Sequence, residues 1–219
     1  MMLSEADRSK ITQAVVKAES VTNAEFVPVI ARDSGRYDRA EDIAGVWGAM
    51  LVSAALLWFW PYESSEHGSW GPDPRYFLIG RVVLGILFGF LCGVWLSHVS
   101  PGLRRLFIPR REIDDEVARA ARMVFFDQRI HHAPGRAGLL IYVSVFEHRA
   151  FLLADERLLA ACGQAQLDEW CQTLTNQLKR TSIANAISSL LELASTQLAA
   201  KLPRSSDDRN ELSDAVIMI

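Results

Sequence analysis

The sequence has few of the features that stabilise small secreted domains or bind nucleic acid. It contains three cysteines, Cys92, Cys162 and Cys171, which are too few for a disulfide scaffold and match no zinc spacing. Its 23 basic and 26 acidic residues nearly balance, so no basic surface for nucleic acid is expected. Half of the 219 residues are hydrophobic and 22% are charged, which excludes a wholly disordered or collagen-like chain.

The short motifs of common enzyme classes are also missing. The sequence has no G-x-x-x-x-G-K-[ST] phosphate loop, no G-x-S-x-G serine motif and no H-E-x-x-H zinc motif. A thiolate phosphatase loop needs an arginine six residues after its cysteine, but Asp168 and Gln177 follow Cys162 and Cys171 at that distance. The sequence therefore nominates no catalytic residue.

What the sequence has in excess is apolar residues in two uninterrupted runs. Residues 43–60 and 82–99 each extend over 18 positions without a charged side chain. As helices they would each be about 27 Å long, close to the hydrocarbon thickness of a bilayer. Buried core helices are the alternative, but such helices normally keep a polar stripe and neither run has one. We therefore expect two transmembrane helices in the lipid bilayer, joined by an outer loop over residues 61–81.

The charges beside these runs predict the orientation of the chain in the membrane. Lysine and arginine are abundant before residue 43 and after residue 99, whereas residues 61–75 contain only Arg75. Basic residues accumulate on the cytoplasmic side of membrane proteins, so both termini are expected in the cytoplasm. The arginine-rich segment 103–111, LRRLFIPRR, is expected either to lie along anionic headgroups or to act only as this topogenic signal.

Small residues recur every four positions along one face of each predicted span. This spacing lets two helices approach closely in lipid, where no hydrophobic force drives their association. The two faces are expected to pack against each other in a tight hairpin, and a homodimer through the Gly85 face is the competing interpretation. The residues concerned are Gly45, Ala49 and Ser53 in the first span and Gly85, Gly89 and Gly93 in the second.

Outside the spans, the sequence predicts one soluble α/β unit that the membrane hairpin interrupts. Residues 24–31 form a strand-like run whose Pro28 favours an edge strand or a bulge. Residues 138–146 and 149–155 predict a hairpin of two strands, and helical periodicity surrounds these runs. The predicted order along the chain is a first part of the soluble domain (1–42), the transmembrane hairpin (43–99), the second part of the domain (100–203) and a polar tail with an apolar end (204–219).

The residues outside the spans resemble the TPM domain family, and in particular its bacterial membrane-anchored members. The resemblance implies an open α/β/α sandwich and a location in the bacterial inner, or plasma, membrane. It also implies attendance on a membrane complex, because that is what the family's members share. The matching segments are LSEADRSKITQAVVKAE (3–19), TNAEF (22–26), RAGLLIYVS (136–144), EHR (147–149), AD (154–155) and NELSD (210–214).

Two function hypotheses follow from the sequence and this resemblance. The first is a non-enzymatic accessory or assembly and stability factor that binds a membrane-protein partner. The alternative is a membrane-tethered, phosphatase-like hydrolase, since acid phosphatase activity and calcium binding have been proposed for plant members. The matching acids that could bind a ligand such as Ca²⁺ are Glu25 and Asp155. A strand-start residue paired to an arginine, and a helix cap, are the structural alternatives for these two.

Overall fold

The structure is a computed structural model, and it describes residues 3–60, 74–130, 137–204 and 215–219. The chain divides into two compact units, one formed by Met1–Gly35 with Ile113–Ile219 and the other by Arg36–Glu112. We call them the α/β unit and the hairpin unit. The elements in chain order are α1 (Glu5–Glu19), β1 (Ala24–Ala31), α2 (Asp38–Phe59), α3 (Pro74–Val99), α4 (Pro101–Leu106), α5 (Arg110–Asp127), β2 (Ala137–Ser144), β3 (Arg149–Ala154), α6 (Glu156–Cys162), α7 (Gln164–Leu178), α8 (Ile183–Ala199) and β4 (Ile217–Met218).

The α/β unit is built on a four-stranded mixed sheet in the order β3-β2-β1-β4. β1 and β2 are parallel and pair over all eight residues, although the hairpin unit lies between them in the sequence. β3 returns antiparallel to β2, as the sequence predicted. The apolar end of the chain supplies β4, which pairs in parallel with β1 at Val29 and Ile30. The predicted mixed α/β class is therefore confirmed.

Pro28 lies inside β1 without breaking its pairing to β2. Successive residues of a strand direct their backbone groups to opposite neighbours. The carbonyl of Ala31 accepts from β2's side, at Val145, and that of Ile30 accepts from Ile219 on the β4 side. Pro28, like Ile30, is therefore turned toward β4, and the described pairing with β4 begins only at Val29. The missing N–H of Pro28 therefore costs no hydrogen bond between the described strand pairs. The predicted edge position applies only to residues 24–28 of β1, because the pairing with β4 begins at Val29.

Helices cover both faces of the sheet. In-register residues of neighbouring strands share a face, so Phe26, Leu139 and Leu152 lie on one side, in a core with α1, α6, α7 and α8. The buried Leu140 lies on the other side. On that face a Cβ at Gly138 would lie 3.0 Å from the Ile130 carbonyl oxygen, just beyond α5. α5 turns a buried stripe inward, formed by Ile113, Val117, Ala121 and Phe125.

Local capping explains where several helices begin. Ser4 accepts a hydrogen bond from the N–H of Asp7 at 3.1 Å, and the Asp7 carboxylate accepts in return from Ser4. These two reciprocal hydrogen bonds form a capping box at the start of α1. Ser182 caps α8 through the N–H of Asn185 at 3.3 Å. These caps therefore fix the N-terminal ends of two helices that pack together on one face of the sheet.

The hairpin unit contains two helices that are long and apolar enough to cross a membrane, Arg39–Phe59 and Arg75–Val99. Only 11% of the most apolar window of each is buried inside the structure. A core helix of a soluble protein would be mostly covered, so this exposure disfavours the core-helix alternative. The two helices run antiparallel, because Gly89 faces Gly48 while Gly93, further along α3, faces Ala44, earlier in α2.

Candidate functional site

Three features of the chain are candidates for function, and the first is a buried carboxylate at the carboxyl edge of the sheet. Glu147 lies in the β2–β3 turn and is fully buried. One carboxylate oxygen accepts from the backbone N–H of Ser34 at 2.7 Å, and the other accepts from the hydroxyl of Ser144. A buried carboxylate is costly unless hydrogen bonds satisfy it, and these donors come from the ends of both parallel strands. Glu147 thus ties the end of β1 to the end of β2.

Tyr142 extends this network. Its phenol oxygen lies 3.0 Å from the hydroxyl of Ser34, and its ring is fully buried in the sheet. Burial raises the pKa of the phenol above its ordinary value of 10.0, and the negative charges of Glu147 and Asp33 act in the same direction, although the bond to Ser34 lowers it. The phenol therefore stays protonated at neutral pH and remains able to donate a hydrogen bond.

An ion pair completes the same edge. Asp114, at the start of α5, accepts from the Nε of Arg149 at 2.6 Å, and Arg149 pairs in register with Ser144 at the first position of β3. We call the group Ser34, Asp114, Tyr142, Ser144, Glu147 and Arg149 the polar edge. Ser34 precedes Gly35, where the chain leaves the α/β unit, and Asp114 follows Ile113, where the chain re-enters it. Both connections of the hairpin unit are therefore fixed at one edge of the sheet.

The acids nominated from the sequence lie at the opposite edge. Glu25 is in register with Gly138, and the N–H of Asp155 donates to the Gly138 carbonyl at 3.0 Å, so the structure brings both acids into one row across three strands. The Asp155 carboxylate accepts from the N–H of Leu158 at 2.7 Å as the N-cap of α6. Within the described residues, no group of three or more His, Cys, Asp or Glu side chains could hold a metal ion.

The second feature is the contact between the small-residue faces of α2 and α3. A Cβ at Gly89 would lie 2.5 Å from the carbonyl oxygen of Gly48 and 2.9 Å from the Cα of Ala49. A Cβ at Gly93 would lie 2.9 Å from the Cα of Gly45. Only glycine permits this backbone separation, so the faces pack against each other within one chain.

Other small residues have different surroundings. Gly85 faces the side chains of Val52 and Leu56 rather than backbone. Ser53 donates to the carbonyl of Ala49 at 2.7 Å within its own helix. Gly48 makes the closest approach, with a Cβ there 2.3 Å from the carbonyl oxygen of Gly89, but it lies outside the four-residue spacing that predicts the two faces. It lies three residues after Gly45, and positions three and four apart share a helix face.

Polar contacts close the hairpin at each described end. At one end the guanidinium of Arg81 lies 5.5 Å from the ring centroid of Trp60 and 3.4 Å from its carbonyl oxygen. At the other end Glu41 lies 3.4 Å from His98 Nδ1 and 3.5 Å from Arg104 Nε. These contacts join the first helix to the second at both ends, so they hold the register that the glycine face defines.

The outward surfaces of α2 and α3 are apolar and exposed. The largest exposed fractions belong to aromatic residues near the Arg81 end, with Trp58 and Phe59 each 80% exposed and Tyr76 74% exposed. Bulky aliphatic side chains such as Leu51 and Leu84 project along the middle of the helices. An apolar surface of this extent on a protein needs a covering environment, which can be lipid or another protein.

The third feature is an apolar groove in the α/β unit, beside β4. It has a volume of about 310 Å³. Its polar group is the side chain of Arg32, which follows β1 directly, and Ile183 lies at the start of α8. The lining residues are Leu3, Ile30, Arg32, Val145, Ile183, Met218 and Ile219.

Comparison with known proteins adds a likeness of fold. No family model matches the chain, and no curated protein matches its sequence. Among solved structures, it is similar to the NMR structure of BA42 protein from the psychrophilic bacterium Bizionia argentinensis sp. nov.. The TM-score is 0.57 at 15% sequence identity, and the alignment covers 100% of this chain and 96% of that one. At this identity the likeness concerns the fold alone.

Glu147→Ala is expected to destabilise the α/β unit by about 2–4 kcal/mol, because it leaves buried donors without an acceptor and opens a void. Glu147→Gln keeps the side-chain volume and one acceptor oxygen, so its cost should be about half. Chemical denaturation of the full chain in mild detergent measures both. Glu169→Ala, an exposed glutamate on α7, is the control and should have no effect. Equal stability of the Ala variant and the control would contradict the role assigned to Glu147.

Gly89→Val is expected to push α2 and α3 apart by roughly 2 Å, toward ordinary interaxial distances of 8–10 Å. Gly80→Val in the same helix is the matched control, since no atom lies within 4 Å of a Cβ there. Spin labels on cysteines at Leu51 and Leu87, with the three native cysteines replaced by serine, report the distance between the helices. An unchanged distance in Gly89→Val would show that the glycine contact does not set the helix separation.

Proposed function

We propose that this chain is a multi-pass integral membrane protein of a bacterial inner membrane, anchored by the helices α2 and α3. The supporting observation is that both helices are long, apolar and largely uncovered, with bulky side chains outward and glycines inward. A core helix in a soluble protein has the reverse arrangement. The distribution of arginine and lysine then puts both termini, and with them the α/β unit, in the cytoplasm.

We further propose that the α/β unit is a TPM-like domain and acts as a non-enzymatic accessory or assembly and stability factor for a membrane-protein complex. The anchor is inserted within the domain, so two covalent connections tether the domain to the bilayer. A domain held in this way meets other membrane proteins at high effective concentration, and weak contacts then suffice for association.

The apolar groove beside β4 is the surface that we propose for this partner. Its lining is mainly aliphatic, with the guanidinium of Arg32 as a charged group. This chemistry suits an apolar segment that carries a carboxylate, because the cation would fix the orientation of a segment bound by apolar contacts. No contact among the described residues favours the phosphatase-like alternative in the same way, and it stays a prediction.

The topology is tested by cysteine labelling in a chain whose native cysteines are replaced by serine. A cysteine at Ser64, between the spans, is expected to react with a membrane-impermeant maleimide in intact cells. A cysteine at Lys201, in the exposed turn after α8, is expected to react only after permeabilisation. Labelling at position 201 in intact cells, or recovery of the chain in the soluble fraction, would contradict the proposed anchoring.

The partner is tested by photo-crosslinking in the native membrane. With p-benzoylphenylalanine at Ile183 in the groove, we expect one reproducible adduct to a membrane protein. The same group at the exposed Glu169 on α7 should give none, and Arg32→Glu should reduce the adduct several-fold by reversing the charge beside the groove. Identical adducts from positions 183 and 169, or no adduct from either, would contradict a groove-bound partner.

A further inference from the structure

One end of the hairpin unit carries a concentration of arginine that the anchoring of the helices does not require. It is the end where α2 begins and α3 ends. No acidic residue occurs between His98 and Glu112, and every basic residue between positions 18 and 178 is arginine rather than lysine. We call this group the arginine collar, and it consists of Arg36, Arg39, Arg104, Arg105, Arg110 and Arg111.

Contacts inside the unit organise the collar. The guanidinium of Arg104 lies 5.8 Å from the ring centroid of Tyr37, and its Nε lies 3.5 Å from Glu41. Glu41 also lies 3.4 Å from His98. The negative charge of Glu41 is thus matched within the unit, and Arg104 fastens α4 to the beginning of α2. The other collar arginines therefore lie on or beside helices whose positions these contacts fix.

α4 has the composition of a segment that lies at a membrane surface. Ser100 is extended, with φ −111° and ψ 97°, and Pro101 follows, so α4 is a separate helix and not a continuation of α3. Leu106 at its end is 76% exposed, whereas Ile108 is buried. Arg110 and Arg111 are exposed immediately beyond. Apolar side chains beside arginines are typical of interfacial helices, which bury the former and place the latter among headgroups.

We propose that the arginine collar binds the phosphate groups of anionic phospholipids in the leaflet that surrounds this end of the hairpin. The proposal rests on the membrane anchoring proposed above. A guanidinium matches the geometry of a phosphate and donates two parallel hydrogen bonds, which suits the exclusive use of arginine here. The opposite end carries fewer arginines, Arg75 and Arg81. The anionic phospholipids of the cytoplasmic leaflet are therefore specific ligands of the hairpin unit.

Tryptophan quenching by brominated lipids separates the two ends of the hairpin. Trp47 and Trp95, which are 52% and 66% exposed, lie toward the collar, and Trp58 and Trp60 lie toward the other end. One variant of the full chain retains the first pair, with Trp58, Trp60 and Trp70 changed to Phe. A second retains the other pair, with Trp47, Trp95 and Trp70 changed. The buried Trp170 stays in both variants, and each is reconstituted in vesicles that contain brominated phosphatidylglycerol or brominated phosphatidylcholine.

For the pair near the collar, we expect a preference of roughly tenfold for the anionic lipid. For the other pair we expect none. R110Q/R111Q should reduce the preference at the collar severalfold. R110K/R111K should retain only part of it, because lysine keeps the charge but cannot donate two parallel hydrogen bonds to one phosphate. R122Q/R129Q, which removes the same charge from exposed positions of α5 and the turn after it, should leave the preference unchanged.

The outcomes distinguish this proposal from the anchoring on which it rests. Equal quenching by both lipids at the collar, in protein that floats with the vesicles, would overturn lipid recognition and leave the anchoring intact. Loss of the preference in R122Q/R129Q as well would also overturn it, since the effect would then follow net charge alone. Protein that neither floats with vesicles nor is quenched by either lipid would overturn both the anchoring and the collar.

Discussion

The whole arrangement depends on one constraint, which is that an insert can interrupt a folded unit only where its two ends return to the same place. In this chain that place is the carboxyl edge of the sheet. Glu147 accepts hydrogen bonds from Ser34 and Ser144, which follow β1 and end β2 respectively. The Asp114–Arg149 pair fixes the point of re-entry. The parallel pairing of β1 with β2 can therefore form across 77 intervening residues of the hairpin unit, Arg36–Glu112.

Close packing of α2 against α3 helps the two ends of the hairpin unit to return to the same place. In the proposed membrane location, the helices gain no hydrophobic free energy from association, so van der Waals contact between backbones has to hold them together. The Gly48–Gly89 and Gly45–Gly93 contacts supply it, and they leave the bulky residues on the outside. Antiparallel helices in close contact place the beginning of α2 and the end of α3 at the same end of the hairpin unit.

Much of this fold could be predicted from the sequence because its signals are local. Apolar runs between turn residues identified β1, β2 and β3, and the capping box of Ser4 and Asp7 depends on four consecutive residues. Asp155 was nominated as a ligand with a helix cap as its alternative, and its bond to Leu158 shows the cap. The role of Glu147 could not be predicted, since its partner Ser34 is 113 positions away and only the folded sheet brings them together.

The position of the charged groups bears on where function is to be sought. A general acid or base must be able to reach a substrate, but Glu147 is enclosed by the groups that donate to it and is fully buried. The carboxylate of Glu147 and the phenol of Tyr142 therefore act by holding the ends of β1 and β2 together. Exposed arginines lie beside apolar side chains at two other places, the groove near β4 and the collar. Surfaces of this composition suit binding by charge and apolar contact, which is what the proposed partner and the proposed lipid contact require.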